Sequence, residues 1–177
     1  MKKLFAMCLG LLMLVGCANT TNTPSKKVED FLGKYQKLDN DVLTQLDLTV
    51  DSDADMSDEQ KKDYKALMEK QYQNLSYKIT DEKIDDDTAT VDAEIEVYDY
   101  QANINKSKAY FDEHKDEFVT KDDDTGIKKY IDYKIKELKD VTDKTTYTIT
   151  FNLNKEDGEW KLQDITDVDR QKIHGLY

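Results

Sequence analysis

Proline, cysteine, histidine and arginine are nearly missing from these 177 residues: Pro24 and Arg170 stand alone, and Cys8/Cys17 and His114/His174 are the only pairs. A single proline leaves no Pro-rich linker, and no repeat of fixed period is present, so one domain is expected. With two histidines a His–Asp general base is conceivable, but nothing in the sequence positions it. There is no Ser-centred nucleophile elbow, Cys nucleophile or glycine-rich phosphate loop. Positive charge is also short. The formal net charge is −12 with no visible basic patch, which disfavours DNA or RNA as a partner.

What is present begins at the amino terminus. Lys2 and Lys3 precede an apolar run from Leu4 to Val15. That run is too short for ~30 Å of hydrocarbon, which takes about 20 residues, and it has no polar face to suit a soluble helix. It reads as a secretory signal peptide over residues 1–16. Leu14-Val15-Gly16-Cys17 resembles the lipobox of bacterial lipoproteins. The resemblance implies cleavage between Gly16 and Cys17 and a diacylglyceryl group on the Cys17 thiol, with palmitate-type chains. An ordinary signal cleavage with Cys17 incidental is the alternative. Because Cys8 lies in the signal, the mature chain would have no internal disulfide. A diacylglyceryl group brings two chains, which meets the requirement for stable anchoring without a basic patch. Removing Lys2 and Lys3 with the signal leaves −14.

Residues 17–23 read as the lipidated cysteine and a polar tether, and 24–177 as one α+β domain. Thr23-Pro24 looks like an N-cap followed by a first-turn proline. Val28, Phe31, Leu32, Tyr35, Leu38, Val42, Leu43 and Leu46 then recur at three and four, which predicts one long helix. Ser57 and Gln60 form a capping-box pair before a shorter stripe from Tyr64 to Leu75. From Leu75 the period is two. Ala89, Val91, Ala93, Ile95 and Val97 alternate with polar residues beyond the Asp85–Asp87 turn, and this predicts an antiparallel hairpin with one dry face. Tyr98 and Tyr100 are read as continuing that strand. Ile104, Phe111 and Phe118, then Ile127 to Leu138, read as helices. Tyr147 to Leu153 and Trp160-Leu162 form a second hairpin around Asp157-Gly158. Thr166 and Gly175 bracket a last short helix.

This order resembles the cystatin-like or nuclear-transport-factor-2-like fold, a long N-terminal helix packed on a curved antiparallel sheet that forms a cone. The chain is more narrowly similar to small Firmicutes lipoproteins of unknown function. The lipobox with Thr23–Leu32, the hairpin segment Asp157–Leu162 and the terminal Ile173-His174-Gly175-Leu176-Tyr177 carry that resemblance. It implies no catalytic residues. Enzymes of the wider fold place a His and an Asp inside the cone, whereas His114 and His174 here lie on no dry strand face.

The remaining candidates are few. Asp51-x-Asp53-x-Asp55 opens like a calcium loop, but Met56 and Lys62 stand where glycine and glutamate are required, so a solvated acidic linker is expected. The runs Asp85–Asp87 and Asp122–Asp124 read as solvated turns. His114 reads as an exposed histidine, and His174 as a helix-end cap favoured by the dipole. No metal or cofactor is expected. The eleven tyrosines suggest more. Tyr98 and Tyr100 near the open end of the sheet, together with Trp160, could line a site for a small ligand or an envelope protein, with ordinary core packing as the other reading. The expectation is a lipid-anchored, extracytoplasmic domain at the cell membrane that binds and does not catalyse. An enzyme of the wider fold is the alternative.

Overall fold

The capping signals locate the elements. Thr23 caps α1 (Pro24–Gln36) by accepting from the Lys26 amide, with Pro24 in the first turn. Asp39 caps α2 (Asn40–Asp51). Ser57 and Gln60 close a capping box on α3 (Asp58–Gln73). The structure is a computed structural model that describes residues 22–177. The expected signal peptide, the Gly16–Cys17 cleavage site, the lipidated Cys17 and the tether to residue 21 lie outside the described residues.

The long N-terminal helix is corrected to two. Leu38 takes a φ of 53°, a left-handed conformation, and turns the chain between α1 and α2. Lys37 and Leu38 close the end of α1 with bonds to the Gly33 and Tyr35 carbonyls, and Asp39 starts α2 at once. The corner leaves Val28, Leu32 and Leu46 all facing one core, so the apolar stripe passes through it uninterrupted. Periodicity cannot register a bend that preserves the period.

The sheet is a four-stranded antiparallel meander in the order β1-β2-β3-β4. β1 is Ser76–Asp85, β2 Thr88–Tyr98, β3 Lys144–Glu156 and β4 Glu159–Leu162. Its turns use left-handed residues, Asp86 between β1 and β2 and Asp157-Gly158 between β3 and β4, as the predicted turn chemistry requires. The dry face is the expected one: Ala89, Val91, Ala93, Ile95 and Val97 of β2 and Ile149, Phe151 and Leu153 of β3 are buried, and their alternate neighbours face water. α1 crosses this face and contacts β1, β2 and β4. Each fully buried aliphatic or aromatic side chain contributes roughly 1.5–3 kcal/mol, so this layer is a large part of the stability.

Between the hairpins lie α4 (Tyr100–Glu113), α5 (Lys115–Phe118) and α6 (Ile127–Lys139). Here the strand reading of Tyr100 is corrected. β2 ends at Tyr98, and Asp99 caps α4 by accepting from the Ala102 amide, which makes Tyr100 the first helical residue. α4, α5 and α6 pack on one another, and α6 also packs on α3. Phe111 and Phe118 meet edge-on at 5.1 Å, with Tyr130 and Tyr133 against them, and form an aromatic cluster beside the main core. α7 (Asp167–His174) returns to α3 and β2, capped by Thr166 and ended by Gly175 at φ 70°. No helix of the described residues is long and apolar enough to cross a membrane.

Candidate functional site

Gln71 ties together the end of the fold where α3, β2 and α7 meet. It is fully buried. Its amide nitrogen donates to the Tyr98 and His174 carbonyls at 3.0 Å each, and its oxygen accepts from the Tyr98 amide at 2.9 Å. A buried amide with these groups satisfied is a strong positional device. Gly175 passes so close that a Cβ there would lie 2.2 Å from both the Gln71 amide nitrogen and the Tyr98 carbonyl oxygen. The C-terminal end of α7, the helix that carries Arg170 and His174, is therefore pinned.

Those two side chains, with α1, α2 and α3, line a partly open cavity of about 120 Å³. Its walls are Tyr35, Tyr64 and Tyr72 with Val42, Leu46 and Val50. Tyr35 and Tyr72 meet edge-on at 5.2 Å, and the His174 ring lies 5.5 Å from Tyr72. A shallower recess of about 340 Å³ adjoins it and shares Tyr35, Val42, Gln45 and Arg170, so Arg170 stands between the two. The mouth is formed by Phe31 and Lys34 on α1, Asp41 on α2, Leu162 at the end of β4, and Gln163, Asp164 and Ile165 after it.

The electrostatics of the cavity are one-sided. Among the described residues no carboxylate lies within ion-pairing distance of Arg170, whereas Asp41 pairs with Lys34 at 3.0 Å. Burial, with the Arg170 charge adding to it, holds the His174 imidazole down to about 4. Burial pushes the Tyr35 hydroxyl up, and the neighbouring Arg170 guanidinium partly reverses this. Burial also raises the Tyr64 and Tyr72 hydroxyls. At neutral pH the cavity therefore presents a fixed cation, a neutral imidazole and protonated phenols.

The tyrosines singled out from the sequence are placed otherwise. Tyr98 and Tyr100 stack at 6.0 Å, Tyr100 is buried with its hydroxyl donating to the Leu67 carbonyl, and neither lines the cavity. Trp160 is buried at the far end of the sheet: Tyr98 pairs with Lys144 on β3, whereas Trp160 pairs with Lys155. Those partners are eleven residues apart, or roughly 36 Å of strand, so the structure does not bring the three aromatics together. His114 stacks on Tyr110 at 4.2 Å with its Nδ1 3.2 Å from Glu117, so it has partners. His174 does sit in the last turn of α7 before Gly175, as expected, but burial and Arg170 disfavour the protonated form that a dipole cap needs.

Asp51 pairs with Lys65, Asp53 accepts from the Asp55 amide, and no group of three metal-binding side chains occurs among the described residues. Asp123 accepts from the Thr125, Gly126 and Lys128 amides and so organises the start of α6. Arg170 and Gln71 were not among the expected site residues. The lone arginine in a lysine-rich chain was the available signal for the first, and nothing local marks the second.

No protein-family model matches the chain, and no curated protein matches it. Among solved structures, it is similar to the crystal structure of ycdA, a candidate lipoprotein of Bacillus subtilis, at 17% identity and a TM-score of 0.44. The match covers 80% of this chain and 46% of the other, so the chain spans less than half of that protein's length.

Proposed function

We propose that this chain is a lipoprotein anchored through a diacylglyceryl group on Cys17 at the extracytoplasmic face of the cell membrane, and that its domain is a non-catalytic binding module of the envelope. The observation that carries the anchor is the ending Leu14-Val15-Gly16-Cys17 behind a short apolar run. The anchor would also set how the domain stands on the membrane. Asn22 is already docked on the β3–β4 hairpin, its side chain donating to the Gly158 carbonyl and accepting from the Trp160 amide. Five Cα steps separate Cys17 from Asn22, a reach of about 17 Å. The hairpin tip would then lie near the bilayer, and the mouth beside Lys34, ten residues along α1 from Pro24 and roughly 15 Å away, would be set back from the anchored end.

The chemistry of the cavity favours binding over turnover. Its phenols stay protonated and its imidazole stays neutral across the neutral range, so none of them exchanges a proton readily there. The same reading keeps the domain with the cystatin-like or nuclear-transport-factor-2-like folds, on the ground that α1 lies across one face of an antiparallel sheet.

The test is the mass of the native amino terminus together with membrane fractionation. A diacylglyceryl-cysteine start and release of Cys17→Ser to the soluble fraction are expected. A free thiol, or an uncut precursor inside the cell, overturns the anchor.

A further inference from the structure

We infer that the cavity behind Arg170 takes a small carboxylate with a compact apolar body, its carboxylate on the Arg170 guanidinium and its body among Tyr35, Tyr64 and Tyr72. This rests on the binding-module reading and specifies what the module binds.

Charge is the first argument. Arg170 is the only arginine in a chain with 38 acidic residues, yet among the described residues none of them pairs with it. Of the two acids at the mouth, Asp41 is engaged by Lys34, and Asp164 lies beyond ion-pairing distance. A planar guanidinium offers two parallel donors that match a carboxylate, which lysine cannot do. The second argument is size. A dry cavity of about 150 Å³ in another protein holds benzene, so about 120 Å³ suits a ring or a short branched chain. The third is the lining: phenol rings and aliphatic side chains make most of it, beside Gln45, Thr49 and His174, and Arg170 is shared with the outer recess. A cation would meet Arg170, and inorganic phosphate has no body to fill the cavity.

The experiment titrates the full chain with benzoate, benzyl alcohol and benzylamine, and follows tyrosine and histidine side-chain signals by NMR. The mass at Cys17 is read on the same sample, so loss of the anchor and loss of the ligand are seen separately. Benzoate should saturate, benzyl alcohol should bind at least tenfold more weakly, and benzylamine should not bind. Arg170→Gln should weaken benzoate tenfold or more, with Arg170→Lys in between. If Arg170→Gln does not fold, Asp164→Asn serves instead and should tighten benzoate severalfold; no tightening counts against the proposal. Equal binding of benzoate and benzyl alcohol overturns the anion assignment and leaves a binding module standing. No saturable shift from any of the three overturns the cavity as a ligand site.

Discussion

Two tyrosine-rich regions of this molecule use the same residue in opposite ways. Around α4–α6, Tyr110, Tyr130 and Tyr133 close on Phe111 and Phe118 with centroids 4.6 to 6.5 Å apart, and Tyr110 sends its hydroxyl outward to Glu117 at 2.9 Å. Around α1, α2, α3 and α7, Tyr35, Tyr64 and Tyr72 surround a cavity, and burial raises their hydroxyls. The difference lies in how the helices approach. α6 contacts α4 and α5 directly, and its tyrosine rings meet Phe111 and Phe118. α2 leaves α1 at the Leu38 corner and packs on α3, and α7 closes the gap without filling it. Aromatic content therefore shows that burial will occur but not whether a cavity remains.

The largest effect should come from the pin that holds the cavity end together. Gly175→Ala adds a left-handed strain and a Cβ 2.2 Å from the Tyr98 carbonyl oxygen. A loss of at least ~3 kcal/mol in urea unfolding is expected, with Tyr35 and Tyr72 signals more disturbed than those of Tyr130. Equal disturbance in both regions would break the separation drawn between them.

Overpacking sharpens the contrast. Ile131→Phe in the filled region should cost about 2 kcal/mol. Leu46→Phe, on the cavity wall, should stay within about 1 kcal/mol of wild type because the added ring has space to enter. Similar losses for both would mean that the cavity wall does not yield.

Acid should act on one region first. The folded His174 titrates near 4 against about 6.5 when unfolded, so the unfolded chain binds more protons between these values. The stability it contributes is complete above about 6.5 and falls as pH drops toward 4. Discounted for partial exposure, the loss between pH 7 and 4.5 should be about 1–2 kcal/mol. His174→Phe should remove that part of the slope in urea midpoints taken at both pH values. An unchanged slope would show that carboxylates elsewhere account for the acid sensitivity.

The smallest expected effect is in the filled region. Tyr110→Phe loses the exposed bond to Glu117 and should cost ~0.5 kcal/mol. A loss several times larger would show that this bond holds α5 on α4.

Most of the element pattern was legible because it is local. Thr23, Ser57 and Thr166 cap the helices that they were expected to cap, and Gly158 and Gly175 take the left-handed conformations expected of them. The alternation from Ala89 to Val97 correctly marked a one-sided strand. Tyr100 was misplaced because Tyr98 and Tyr100 keep the strand period for one step after Asp99 has begun a helix. The α1–α2 corner escaped notice because a single left-handed leucine left the stripe intact.

By itself the sequence determined most of the helix caps and strand turns, which face each element buries, how acidic the chain is, and the lipobox-like ending at Cys17, but not the corner at Leu38 or the start of α4. Those properties depend on residues a few positions apart. Only the tertiary structure decided that Tyr35, Tyr72, Arg170 and His174 share a cavity while Tyr98, Tyr100 and Trp160 do not, because a cavity is set by spacings between elements distant in sequence. Arg170 could be counted in the sequence, but its lack of an acidic partner depends on what the fold places around it.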